Sequence, residues 1–85
     1  MARLSKRIVE GAAIQSSDYF LWDDAMSGFG VRIMPSGRKS YLIQYRKAGR
    51  TRRYAIGLHG RLTPEGARRQ AKILLGRVAQ GEDVA

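Results

Sequence analysis

Between Phe29 and Ile56 apolar side chains recur at every second position, in three runs broken at Pro35-Ser36-Gly37 and Ala48-Gly49-Arg50. Successive side chains of a strand point to opposite faces, so this period of two predicts three strands, each with a buried and an open face. In the first run Phe29, Val31 and Ile33 oppose Gly30, Arg32 and Met34. In Lys39 to Arg46, Tyr41, Ile43 and Tyr45 oppose Ser40, Leu42, Gln44 and Arg46; in Thr51 to Ile56, Tyr54 and Ile56 oppose Thr51, Arg53 and Ala55. Turns this short join antiparallel neighbours, so the runs form a meander. Leu42 breaks the rule by falling on the polar face, which suits a face that meets a partner rather than water alone.

Around the meander the signals are local. Leu4 to Gly11 reads as one or two helical turns, with Ser5 as N-cap and Leu4, Ile8 and Val9 on one face. Tyr19 to Trp22 reads as a short strand, followed by an acidic turn at Asp23-Asp24, with Trp22 a core or edge anchor. Gly57 to Arg61 reads as a loop. Thr63-Pro64-Glu65 then combines a hydroxyl cap, a proline at the first helical position and an acid at the positive dipole end. The helix should run to about Gln80, with Ala67, Ala71, Leu74, Leu75 and Val78 as its apolar stripe. Arg68, Arg69, Lys72 and Arg77 fall mostly off that stripe. Gly66 and Gly76 weaken the helix, and Gly76 offers a close approach to the sheet. Gly81 closes the helix, and ordered structure is expected to end at Glu82-Asp83.

The fold class that follows is α+β: a three- to four-stranded antiparallel sheet packed against one C-terminal helix. Eighty-five residues allow one domain and one core of about a dozen side chains. With no cysteine, disulfides and thiolate metal sites are excluded. The chain has no apolar run of signal-peptide or membrane-spanning length. A cytoplasmic protein is expected.

Charge narrows the function. Sixteen Lys and Arg against seven Asp and Glu give a net charge of +9, which calls for a polyanionic partner. Seven of those cations lie between Arg38 and Arg53 without a single acid, whereas a merely solubilising surface mixes both signs. With the helix on the apolar sheet face, Arg32, Gln44, Arg46 and Arg53 point to the uncovered side. A two- or three-stranded ribbon fits the major groove, Arg reads guanine edges, Gln suits adenine, and hairpin cations clamp phosphates. Tyr41, Tyr45 and Tyr54 share parity with the core, whereas a single-strand binder would carry aromatics on its open face; duplex DNA therefore ranks above RNA or single strands. A membrane is the weaker partner, because the densest charge lies in strand-like sequence. Catalysis finds little support: His59 is the only histidine and reads as a surface or phosphate-contacting group. Asp23-Asp24 reads as a turn and Gly28-Phe29-Gly30 as a tight bend without a dinucleotide loop's third glycine.

The order LWDDAMSGFGVRIMPSGRKSYLIQYRKAGRTRRYAIG, then LTPEGARRQAKILLGRVAQGED, resembles the N-terminal arm-type DNA-binding domain of tyrosine recombinases, the integrases of temperate phages and genomic islands. The likeness covers nearly the whole chain. It implies a single arm-type domain over residues 1–85, the N-terminal fragment of a longer integrase in a bacterial, nucleoid-associated setting, whose core-binding and catalytic domains follow. By that reading the chain is not itself an enzyme, has no catalytic residue, and needs no cofactor, metal or small-molecule substrate. Its partner is double-stranded DNA at arm sites. The resemblance places base readout on Arg32, Gln44, Arg46 and Arg53, and phosphate contacts on Arg38, Lys39, Lys47, Arg50 and Arg52 at the two hairpins. One departure is Gly66, where the family commonly has a better helix former, so the reciprocal half of a capping box is lost. Two other readings stand beside it: a general RNA or single-strand binder, and a protein-interaction module using Leu42 and the helix's outer face. A monomer is expected in isolation, with multimers left to the full-length integrase on DNA.

Overall fold

A computed structural model describes residues 3–84. The elements run α1 (Lys6–Gly11), β1 (Tyr19–Trp22), β2 (Phe29–Ile33), β3 (Lys39–Lys47), β4 (Arg50–Leu58) and α2 (Pro64–Ala79). The four strands form one antiparallel sheet in sequence order, a meander with β1 and β4 at its edges. Both helices begin as their sequences require. The Ser5 hydroxyl accepts from the Ile8 amide and the Thr63 hydroxyl from the Gly66 amide, with Pro64 in the first turn.

Among the described residues eleven apolar side chains besides Pro64 are buried, and all of the eleven but Leu42 join one cluster on the helix side of the sheet. Phe29, Val31, Ile33, Tyr41 and Ile43 are fully enclosed there. Ala67 and Ala71 meet them from α2 without exposure, small enough for the helix to settle close to the sheet, while Leu74, Leu75 and Val78 are half-buried. The alternation in β2 and β3 is therefore realised as read. Val9 of α1 and Leu4 from the segment entering that helix join the same cluster.

The register pairs Gln44 with Arg53 and Lys47 with Arg50 across β3 and β4. Their turn is the two residues Ala48 and Gly49, both at positive φ (52° and 78°), as a two-residue hairpin demands. A bulge opposite Tyr41 and Leu42 accommodates Ile56 as an extra residue of β4. β4 then continues to Leu58, so the segment from Gly57 is strand rather than loop at its start: Gly57 pairs with Tyr41 and Leu58 with Ser40.

Three other sequence readings change. Arg68 does not lie off the buried stripe; it is 8% exposed and bound to buried Asp23. Asp23 Oδ1 also accepts from the Leu4 amide, its Oδ2 accepts from the Ala25 and Met26 amides, and Arg68 donates to the Leu4 carbonyl and to Glu65. One ion pair thus ties α2, the β1–β2 loop and the segment entering α1. Burial works against the Asp23 charge, yet the Arg68 and backbone hydrogen bonds outweigh it and hold the carboxyl below its ordinary range. Gly76 does not mediate close approach, since nothing would lie within 4 Å of a Cβ there. The chain also stays attached beyond Gly81. Glu82 pairs with Arg77, Asp83 binds Tyr45 and Arg52, and Val84 packs on the core.

Candidate nucleic-acid interface

The face of the sheet opposite the helices is uncovered, and the pleat delivers specific side chains to it. Register carries one row from Phe20 to Arg32 to Ser40, and another from Trp22 to Gly30 to Leu42 to Ala55. Gln44 with Arg53 and Arg46 with Thr51 complete the surface at the β3–β4 end. All four residues assigned to base readout, Arg32, Gln44, Arg46 and Arg53, therefore share one face, as alternation requires.

They are held rather than loose. Arg53 Nε donates to Gln44 Oε1 at 2.8 Å, and its guanidinium carbon stands 4.8 Å from the centre of the Phe20 ring. Arg32 approaches the same ring at 5.9 Å and is ion-paired with Asp18, to which its Nε donates at 2.6 Å. Arg46 donates to the Gly49 carbonyl at 3.0 Å. With Nε engaged, the Nη groups of Arg53 remain for an outside acceptor, in the fork geometry that suits a guanine edge or a phosphate.

The five hairpin cations divide. The side chains of Arg38 and Arg50 are exposed, with no hydrogen-bond or ion-pair partner among the described residues. Lys39, Lys47 and Arg52 turn toward the helix side instead. Lys39 reaches the Glu10 carbonyl at 3.3 Å, Lys47 the Gly81 carbonyl, and Arg52 lies 3.1 Å from Asp83. Parity carried to the strand ends would have shown this, because Lys39 and Lys47 alternate in step with Tyr41 and Arg52 in step with Tyr54.

Sequence reasoning missed the aromatic component of the open face. Trp22 sits on an edge strand, as an anchor would, but it is 41% exposed on the open side. Its ring stacks on Phe20 with centroids 5.4 Å apart and planes within 9°. YFLW contains no polar residue to mark a face, so only the pairing of Phe20 with Arg32 reveals which two rings point outward. Leu42, expected to face a partner, is 4% exposed and forms the floor of a hollow lined by Phe20, Arg32 and Arg53.

His59 is a structural bridge rather than a surface group. Its Nδ1 lies 2.7 Å from the Tyr41 hydroxyl and its Nε2 3.0 Å from the Glu10 carboxylate. A neutral imidazole satisfies both contacts, with Nε2–H donating to Glu10 and Nδ1 accepting from Tyr41. The His59 hydrogen bond holds the Glu10 carboxyl below its ordinary range, and burial pushes Tyr41 up to about 12.

Five of the seven carboxylates pair with an arginine, Asp18, Asp23, Glu65, Glu82 and Asp83, and Glu10 is hydrogen-bonded to His59. Acidic charge is thus largely neutralised within the domain, and the field at the hairpins and open face stays positive. No helix among the described residues is long and apolar enough to cross a membrane.

Comparison with known proteins agrees with this surface. A family model described as the Arm DNA-binding domain, found at the N-terminus of tyrosine recombinases and integrases, matches residues 4–85. No curated protein matches the chain. An uncovered basic sheet face on a helix-backed meander, together with a match over almost the entire length, makes this chain a member of the arm DNA-binding domain family, with DNA as its partner.

Proposed function

We propose that this domain binds double-stranded DNA sequence-specifically and docks a tyrosine recombinase onto arm sites flanking its attachment core. The open sheet face enters the major groove, whose width admits a two-stranded ribbon. Arg32, Gln44, Arg46 and Arg53 lie against base edges, while Arg38 and Arg50 meet phosphates on either side. The observation that carries the reading is the fixed Arg53, bound through Nε to Gln44 and backed by Phe20, with its remaining donors unused. The domain forms the N-terminal part of a longer integrase of a prophage or genomic island, whose later domains perform strand exchange; the segment itself binds without cleaving.

A single-strand reading gains support from Phe20 and Trp22, since stacked rings beside a basic groove are how unpaired bases are held. Against it, Phe20 already carries two guanidiniums. Fluorescence anisotropy decides between them. A labelled duplex bearing repeats from the flanks of the element is titrated against a scrambled duplex and a single strand at several salt concentrations. Preference for the repeat duplex that survives raised salt is the expected result; equal binding that collapses with salt reduces the domain to a polyanion binder.

A further inference from the structure

Trp22 is the large aromatic of the open face for which the domain itself has little use. Its neighbours Tyr19 and Leu21 pack on the core, and Phe20 is covered by Arg53 and Arg32. No guanidinium lies over the indole among the described residues, and the side chain is 41% exposed. Yet the ring is firmly seated. It stacks in parallel on Phe20, and its six-membered ring rests on Gly30, where a Cβ would lie 2.5 Å from Cε3. A glycine inside a strand weakens it, because it costs more backbone entropy to order than any other residue. Here that loss makes room for a ring that closes no core.

The indole borders a hollow lined by Asp24, Ser27 and Gln44 on one side and the arginine-covered Phe20 ring on the other, and a firmly seated apolar surface in such polar surroundings suits a partner with a matching apolar feature. The major groove presents hydrogen-bond donors, acceptors and one apolar group, the C5 methyl of thymine. We infer that the Phe20–Trp22 pair is a reading site for a thymine methyl in the major groove, beside the base contacted by Arg53. The inference rests on the duplex binding proposed above. Phe20 links the two contacts: one ring backs the Arg53 guanidinium and stacks on Trp22, so the methyl and the base facing Arg53 belong to neighbouring base pairs.

Deoxyuridine differs from thymidine by this methyl alone, which makes the test specific. Duplexes are selected from a random-sequence library with the domain, and each thymine of the resulting consensus is replaced in turn by deoxyuridine. The expected result is a loss of about three- to fivefold in affinity at one or two positions, the value of a single buried methyl. The same replacements should have no effect on Trp22→Ala. If Trp22→Ala does not fold by circular dichroism, Trp22→Gln, which keeps a longer side chain over Gly30 than alanine does and removes the aromatic face, takes its place. A consensus without thymine, no sensitive position, or equal sensitivity in the variant overturns the inference while duplex recognition stands. Failure to select any consensus, or displacement of duplex by single strands, overturns the duplex reading and the inference together.

Discussion

Arg53 and Gln44 face each other across β3 and β4, and the arginine Nε donates to the carboxamide oxygen at 2.8 Å. Gln44 is thereby a support for Arg53, whatever part it takes in the base reading proposed for it. Gln44→Ala and Arg53→Ala are both expected to reduce affinity for the selected duplex by about 1–3 kcal/mol and to narrow its advantage over scrambled DNA. In a double-mutant cycle the two losses should be strongly non-additive, as for groups acting as one unit. Additive losses by anisotropy titration would separate the roles.

The hairpin cations should differ by direction rather than by charge. Arg38→Ala and Arg50→Ala are each expected to weaken all duplexes and to lower the slope of log K against log salt by about 1. Arg52→Ala, which removes one of the partners of Asp83, should change the slope less and should loosen the tail. Salt titrations of the three variants on one duplex give the comparison.

How far such distinctions were legible depends on what each residue's partner is. Alternation placed Tyr41, Ile43 and Tyr45 inward and Arg32, Gln44, Arg46 and Arg53 outward, because the pleat decides it locally. The caps at Ser5 and Thr63 were equally local. Trp22 was opaque, since four consecutive apolar residues leave the facing of β1 to its register with β2. Arg68 was opaque for another reason: its partner Asp23 lies 45 residues away, and no helical pattern marks a cation as buried.

That pair should dominate stability. Arg68→Met leaves Asp23 buried without its counter-charge and is expected to cost about 3–5 kcal/mol in urea denaturation. Because the folded-state Asp23 carboxyl lies below its ordinary range, its contribution is complete above the unfolded value near 3.9 and disappears as pH falls through the folded value. Wild-type stability should therefore fall below about pH 4. Arg68→Met should start lower and decline less steeply there.

Tyr41 governs the alkaline side. Its pKa of about 12 in the fold exceeds the ordinary value of 10, so its neutral form stabilises the domain fully below pH 10. Stability is lost as pH rises from 10 through 12, by on the order of 2–3 kcal/mol. Tyr41→Phe is expected to be weaker at pH 8, lacking the bond to His59, and to lose less than wild type across that window. Denaturation curves at stepped pH check the difference.

Two exposed positions should accept stabilising changes without touching DNA binding. Gly76→Ala meets open space on a helix and should gain about 0.5–1 kcal/mol. Ala48 sits at φ 52°, and Ala48→Asn gives the Asn-Gly pair favoured at such turns, for a gain of about 0.5–1 kcal/mol. Each should raise Tm by several degrees in a domain of this size.

The seat of Trp22 on Gly30 imposes an order on mutational change. A side chain at position 30 would strike the indole at 2.5 Å and the Leu21 carbonyl at 2.7 Å, so its arrival displaces both a ring and an edge strand. Replacing Trp22 first demands no such rearrangement and leaves Gly30 where it was. A lineage can thus surrender the aromatic surface in one step and regain it in one, provided the glycine stays. Once β1 has shifted to admit a larger residue at 30, the way back requires two coordinated substitutions.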